Sequence, residues 1–245
     1  DDVGTHSLVY DPTSGNHTWR DIPFQAPAIN ADETELKVKL SADGVAKGQL
    51  VLKAQGKNGS FFRRLSRNTD LLSQLVQRVS GALLPGSVSQ EATAWEVKDL
   101  TVPAVVTAET ESKTATRKEG DTLRLRVPND WSPRSLFALA SRKQPLVLGT
   151  PSQTTFRFSV TLPDGYQPKT LPSSGELKSR CLSFSRKTGF SGQVFQMEQT
   201  VQMLCERISA EEYAQYRAQA DAISKMQEEE LVMMPSKAKA KGAAR

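Results

Sequence analysis

Residues 33–56 read ETELKVKLSADGVAKGQLVLKAQG, and the period of this stretch decides the fold class. Leu36, Val38 and Leu40 alternate with Lys37 and Lys39; the chain then meets Asp43-Gly44 and alternates again through Leu50 and Leu52. Successive side chains on a strand point to opposite faces, so a period of two marks one apolar face and one wet face. Asp-Gly between two such runs is a hairpin turn. The segment is therefore a β-hairpin with one face buried and lysines on the other.

The same period recurs outward from it. In 120–128, GDTLRLRVP, Leu123, Leu125 and Val127 face one way and Arg124 and Arg126 the other. Residues 93–112 read as further strands. Residues 153–172, QTTFRFSVTLPDGYQPKTLP, alternate Phe156, Phe158, Val160 and Leu162 before a Pro163-Asp164-Gly165 turn. A last hairpin, 180–208, bends at TGFSG. Residues 128–145 have no sustained period and allow only a brief helix around SPRSLFALA.

Two segments carry helical spacing instead. Leu65, Leu72, Leu75, Val76 and Val79 share a stripe that predicts a helix over 61–80, capped or bent at Asn68 or Thr69 and ended by Pro85-Gly86. Ser209 followed by Glu212 is a capping box, in which each residue's side chain satisfies the other's amide; it starts a helix over 209–226 with Tyr213, Tyr216, Ala220 and Ile223 buried. Helices do not alternate with strands, and nothing repeats at a fixed period. The expectation is a mainly β fold: an antiparallel β-sandwich with two peripheral helices.

Composition narrows the function classes. The chain has 245 residues and a net charge of +5, yet the stretch from Pro235, PSKAKAKGAAR, holds four basic residues and no acid. Without it 28 basic residues face 27 acidic ones, so the excess lies on an expected disordered tail, 235–245, and nucleic-acid binding is not expected. No apolar run is long enough for a transmembrane helix. The first residue is Asp1 rather than Met, as in a processed or excised chain. No cofactor and no metal site is expected: both histidines precede residue 18, the acidic run QEEEL at 227–231 reads as a solvated face, and no glycine-rich phosphate loop is present. Trp19, Trp95 and Trp131 are scattered and form no stacking stripe.

The histidines sit in residues 5–21, THSLVYDPTSGNHTWRD, beside Asp2, Asp11 and Asp21. The order of the later pieces bears on how this stretch is read. Residues 141–172, SRKQPLVLGTPSQTTFRFSVTLPDGYQPKTLP, then a Ser-rich hairpin, then ERISAEEYAQYRAQADAI and a short terminal strand, resemble the C-terminal region of bacterial transglutaminase-like proteins. The resemblance covers about 30–234. It implies a papain-like Cys–His–Asp core flanked by β-rich domains of unknown function, in an extracytoplasmic protein of the periplasm or cell envelope. It further implies that residues 1–29 are the last strands of such a core and 30–234 the sandwich. His6 and Asp21, within HTWRD, then align with the catalytic His and Asp on adjacent strands; Asp11 falls too close to His6 to lie across a hairpin, and His17 is expected in a solvated turn. A bulky aromatic, common after the family's His, is replaced here by SLVYDP.

A cysteine nucleophile needs a histidine to take its proton and an acid to orient that histidine. No cysteine precedes His6; the two present are Cys181 and Cys205. The triad is partial, with its nucleophile outside this chain, and no activity is expected from the chain alone. With the final hairpin bent near Phe190 and Phe184 opposite Met197, Cys181 would face Thr200 and Cys205 would face Glu176. Two free thiols are then expected, although a bulge or a different register would permit a bridge. Two functions follow. One is a non-catalytic sandwich that supports an upstream transglutaminase-like core or binds another protein. The alternative is a structural or adhesive subunit of a bacterial surface assembly. Oligomeric state and substrate are not readable.

Overall fold

The computed structural model describes residues 4–236. Strands β1 (His6–Tyr10) and β2 (His17–Asp21) open the chain as a hairpin. β3 (Ala31–Leu40) and β4 (Ala46–Ala54) form the alternating pair, closed by Ser41–Val45 backbone pairing with Gly44 at φ 91°, a left-handed conformation that glycine adopts without strain. The helical segment is two helices, α1 (Gly56–Leu65) and α2 (Thr69–Leu83). The expected single helix breaks at Asn68, which takes extended backbone geometry and accepts a 3.0 Å bond from the Leu71 amide as an N-cap.

Strands β5 (Ser87–Ser89), β6 (Thr93–Trp95), β7 (Ala104–Ser112), β8 (Thr116–Glu119) and β9 (Thr122–Arg126) follow, then the one-turn α3 (Pro133–Leu136). The second half holds β10 (Leu146–Val147), β11 (Ser152–Thr161), β12 (Tyr166–Thr170), β13 (Gly175–Lys178), β14 (Leu182–Ser191), β15 (Val194–Met203) and β16 (Arg207–Ile208). It closes with α4 (Tyr213–Gln227) and β17 (Glu230–Pro235). Of the four α-helices among the described residues, α1 and α2 divide the expected first helix, α3 is the brief helix allowed around SPRSLFALA, and α4 is the expected last one.

The strands make a sandwich. The large sheet runs β13-β14-β15-β11-β3-β4-β7-β5, with β6 also on β7; the smaller runs β12-β17-β9-β8. All pairings among the described residues are antiparallel except β3 with β11, where Leu36 lies beside Phe158 and Val38 beside Val160. Inward-facing Leu36, Val38, Leu50 and Phe156 share one core with Leu123, Leu125 and Met233 of the smaller sheet and with Leu72 and Val76 of α2. The outer face of the large sheet is charged: Glu33 pairs with Lys53 at 2.6 Å and with Arg157, which also meets Glu198 at 2.9 Å.

A second core sits under α4. Tyr213, Tyr216, Ala220 and Ile223 pack on Phe184, Leu182, Val201 and Phe137, the stripe read from the sequence. The capping box forms in both directions: the Glu212 amide donates to Ser209 Oγ at 3.3 Å, and the Ser209 amide donates to Glu212 at 3.4 Å. The C-terminal end of α4 is tied down by Arg186, a guanidinium buried in the large sheet that donates to the Met226 carbonyl and lies 3.5 Å from Glu229. The last strand runs through Pro235, which pairs with Tyr166, and the Ser236 amide donates to the Gly165 carbonyl at 2.6 Å. The remainder of the basic tail, 237–245, lies outside the described residues.

Candidate functional site

The hairpin at residues 6–21 brings the two predicted site residues together. His6 pairs directly with Asp21 across the strands, and the imidazole Nδ1 is hydrogen-bonded to the Asp21 carboxylate. Strand parity puts Leu8 with Trp19 and Tyr10 with His17 on the same face. His17 is not in the turn, as expected, but is the first residue of β2, exposed, with its ring 6.0 Å from that of Tyr10. The turn is built by Asp11, whose carboxylate accepts from the Thr13 amide at 2.8 Å and from Ser14 Oγ at 2.7 Å. Those bonds, Ser14 foremost, hold the Asp11 carboxyl below the ordinary carboxylate range. Asp11 is therefore a turn residue and takes no part in the His6–Asp21 contact. Asp2 lies outside the described residues.

This hairpin is open to solvent. The side chains of His6 and Asp21 are 77% and 78% exposed, and Trp19 is 71% exposed. Leu8, Val9 and Tyr10 are exposed as well. The geometry can orient an imidazole and polarise it. Among the described residues the two cysteines belong to another part of the fold and are consumed by a bond of their own.

Cys181 and Cys205 form a disulfide, which overturns the expectation of free thiols. The cause is register. β14 does not bend near Phe190: that residue pairs with Phe195 and packs against the main core, so the strand continues to Ser191 and turns at Gly192-Gln193. Phe184 then lies opposite Val201 rather than Met197. This carries Cys181 next to Leu204, just past the end of both strands, where parity no longer separates the two side chains; the Cα atoms are 4.8 Å apart.

A cleft that was not anticipated lies at one end of the sandwich. It has a volume of about 440 Å³ between α1, α2 and the loop after β9. Asp32 of β3 and Asp130 of the loop both line it, with Phe61, Phe62 and Trp131. Burial raises the carboxyl of Asp130 to about 6, further raised by the charge of Asp32 and opposed by a hydrogen bond from Thr34. Burial also raises Asp32, opposed by a hydrogen bond from Asn58. Oδ1 of each carboxyl is sealed from solvent with no hydrogen-bond donor. One signal for this was present: Asp32 shares the parity of Thr34, Leu36, Val38 and Leu40, so it is an acid on the inward face of its strand. Asp130, in NDW at the end of an irregular stretch, carried none.

Among the described residues there is no cluster of acids, histidines and cysteines able to hold a metal ion, and no helix is long and apolar enough to cross a membrane. What the fold and sites define is a β-sandwich protein with a solvent-exposed His–Asp pair on a projecting hairpin. Residues 122–233 match the family described as "Domain of Unknown Function with solved-structure structure (DUF3858)". A crystal structure of a "putative protease" from Parabacteroides distasonis is similar at 14% identity and a TM-score of 0.39, over 46% of this chain and 23% of that one. No curated protein matches the chain.

Proposed function

We propose that this chain is the C-terminal portion of an extracytoplasmic transglutaminase-like protein. Residues 1–29 supply the last strands of the catalytic core, and the sandwich from residue 30 supports that core or binds a partner without chemistry of its own. The observation that carries this reading is the face of the β1–β2 hairpin. It presents His6 hydrogen-bonded to Asp21 in line with Leu8, Trp19 and Tyr10, all exposed. A two-stranded hairpin is marginal alone, and a row of large apolar side chains in water calls for a covering surface. A sheet and helix that brought a cysteine against His6 would bury that row and complete a Cys–His–Asp relay. In that relay His6 takes the thiol proton and Asp21 fixes the imidazole orientation. The Cys181–Cys205 disulfide fits an oxidising compartment.

The test has two parts. Residues 1–245 alone should show no amidase, peptidase or transamidase activity. In the intact protein an upstream cysteine should react rapidly with iodoacetamide at neutral pH, and His6→Ala should slow that reaction on the order of a hundredfold, the scale of one positioned base. An upstream segment without such a cysteine, or labelling indifferent to His6, would refute the catalytic reading. The chain would then be better described as a structural or adhesive subunit of a surface assembly.

A further inference from the structure

The cleft bordered by Asp32 and Asp130 is separate from the hairpin and plays no part in the reading above. Its walls are apolar: Phe61 and Phe62 of α1, Leu75 and Val79 of α2, and Trp131 of the loop. Its volume of about 440 Å³ is in the range of small-ligand sites. Two carboxylates border this apolar space, and among the described residues no cation is set against them. Lys53, the one basic residue lining the cleft among the described residues, is paired with Glu33 at 2.6 Å. Arg63 of α1 is spent on the carbonyls of Asp99 and Val102. Among the described residues no basic side chain contributes to the ionisation of either aspartate; burial dominates both.

Folded proteins pair buried charges or neutralise them, because an isolated carboxylate in a dry site is expensive. Here both aspartates line the cleft, and no basic side chain among the described residues is paired with either. Asn58 gives Asp32 one hydrogen bond, Thr34 and the Asp130 backbone each give Asp130 one, and Oδ1 of each carboxyl is sealed inside the protein without a donor. A cation with an apolar stem would match both the acidic residues and the apolar walls of the cleft. Its charge would meet the carboxylates, and its methylene groups would lie against Phe61, Phe62 and Trp131, whose ring faces attract cations.

We propose that the Asp32/Asp130 cleft binds an alkylammonium group, carried by a free diamine or by a lysine side chain of a partner polypeptide. The probes are 1,5-diaminopentane, a short peptide bearing one lysine, and 1,5-pentanediol as the neutral isostere, each titrated into the full chain while amide resonances are followed by NMR. The expected result is saturable shifts confined to residues 58–62 and 129–131 with at least one amine and none with the diol. Asp130→Asn should weaken binding about tenfold or more, the scale of a hydrogen bond to a charged group. Asparagine has the same shape and removes a buried charge, so that variant should fold; Asp32→Asn is a second variant that tests the same contact. Binding of the peptide alone would assign the ligand to a polypeptide side chain, and binding of the diamine alone to a soluble amine. Failure of both amines, equal response to the diol, or wild-type affinity in both variants would overturn the proposal.

Discussion

Reducing the Cys181–Cys205 bridge leaves every side chain in place and frees only the loop that it closes. The two residues are 24 apart in sequence. Closing a loop of that length removes about 12 cal/mol/K of entropy from the unfolded chain, or about 3.5 kcal/mol at room temperature. For a chain of this size each kcal/mol moves the melting temperature by about 2–4 °C, so reduction should lower it by about 7–14 °C. Cys181 is fully buried beneath α4 while Cys205 is only partly covered, so a reductant should attack at the Cys205 sulfur, and faster in mild denaturant. Scanning calorimetry with and without a phosphine reductant reads the shift. Alkylation in denaturant followed by mass measurement counts the thiols before and after. An unreduced sample in which both cysteines alkylate would mean that the pair is not bridged. A reduced sample that melts within about 2 °C of the oxidised one would mean that the loop is already confined in the unfolded state, and the entropic reasoning would fail.

Three further outcomes follow from the packing. Tyr213 is buried against Phe137, and its hydroxyl donates to the Leu139 carbonyl at 3.0 Å; Tyr213→Ala should destabilise by about 3–5 kcal/mol and Tyr213→Phe by about 1 kcal/mol in denaturant titrations. Asp130 holds its proton more tightly when folded, up to about 6 against an ordinary 3.8, so its contribution to stability is present below about pH 4 and is lost as pH rises through about 6. Asp130→Asn should therefore stabilise the chain at pH 8, by up to about 3 kcal/mol, and do nothing near pH 3.5; a constant offset across that window would show that Asp130 is not the titrating group. Residues 122–236 expressed alone should give poorly dispersed amide spectra, whereas 30–236 should give the full fold.

Much of the architecture was written in periods. The inward residues Leu36, Val38, Leu40, Phe156, Phe158 and Val160, and the α4 stripe, were identifiable because burial of one face forces a repeat of two or of about 3.6. The placing of His6 opposite Asp21 came from the family resemblance, and the strands joined by the Asp11–Asn16 turn pair the two residues. The register of β14 and β15 was not legible. TGFSG looks like a turn, yet Phe190 has a core to reach, and tertiary burial outweighed the local preference of Gly189. The cleft was hidden for a different reason. Asp32 and Asp130 are about a hundred residues apart, and each becomes perturbed only when β3 and the loop after β9 close over the same end of the core.

The parallel pairing of β3 with β11 means that the matched stretch 122–233 does not close the main core by itself. That stretch contains β11 but not its neighbour β3. Without β3, the edge of β11 would present nine residues of unpaired backbone, and Phe156, Phe158 and Val160 would lose Leu36, Val38 and the α2 side chains that share their core. Unpaired edges and half-covered aromatic faces are the features that drive strands to aggregate. The smaller sheet meets the same constraint from the other side, since Leu123, Leu125, Leu231 and Met233 have their partners on β3 and β4 as well as on β11. Parallel strands need a long crossover, and here the crossover is most of the chain between residues 40 and 152, including both helices that wall the cleft. The segment that completes the sandwich core is therefore also the segment that builds the Asp32/Asp130 site, so the cleft exists only where the whole of 30–236 is folded.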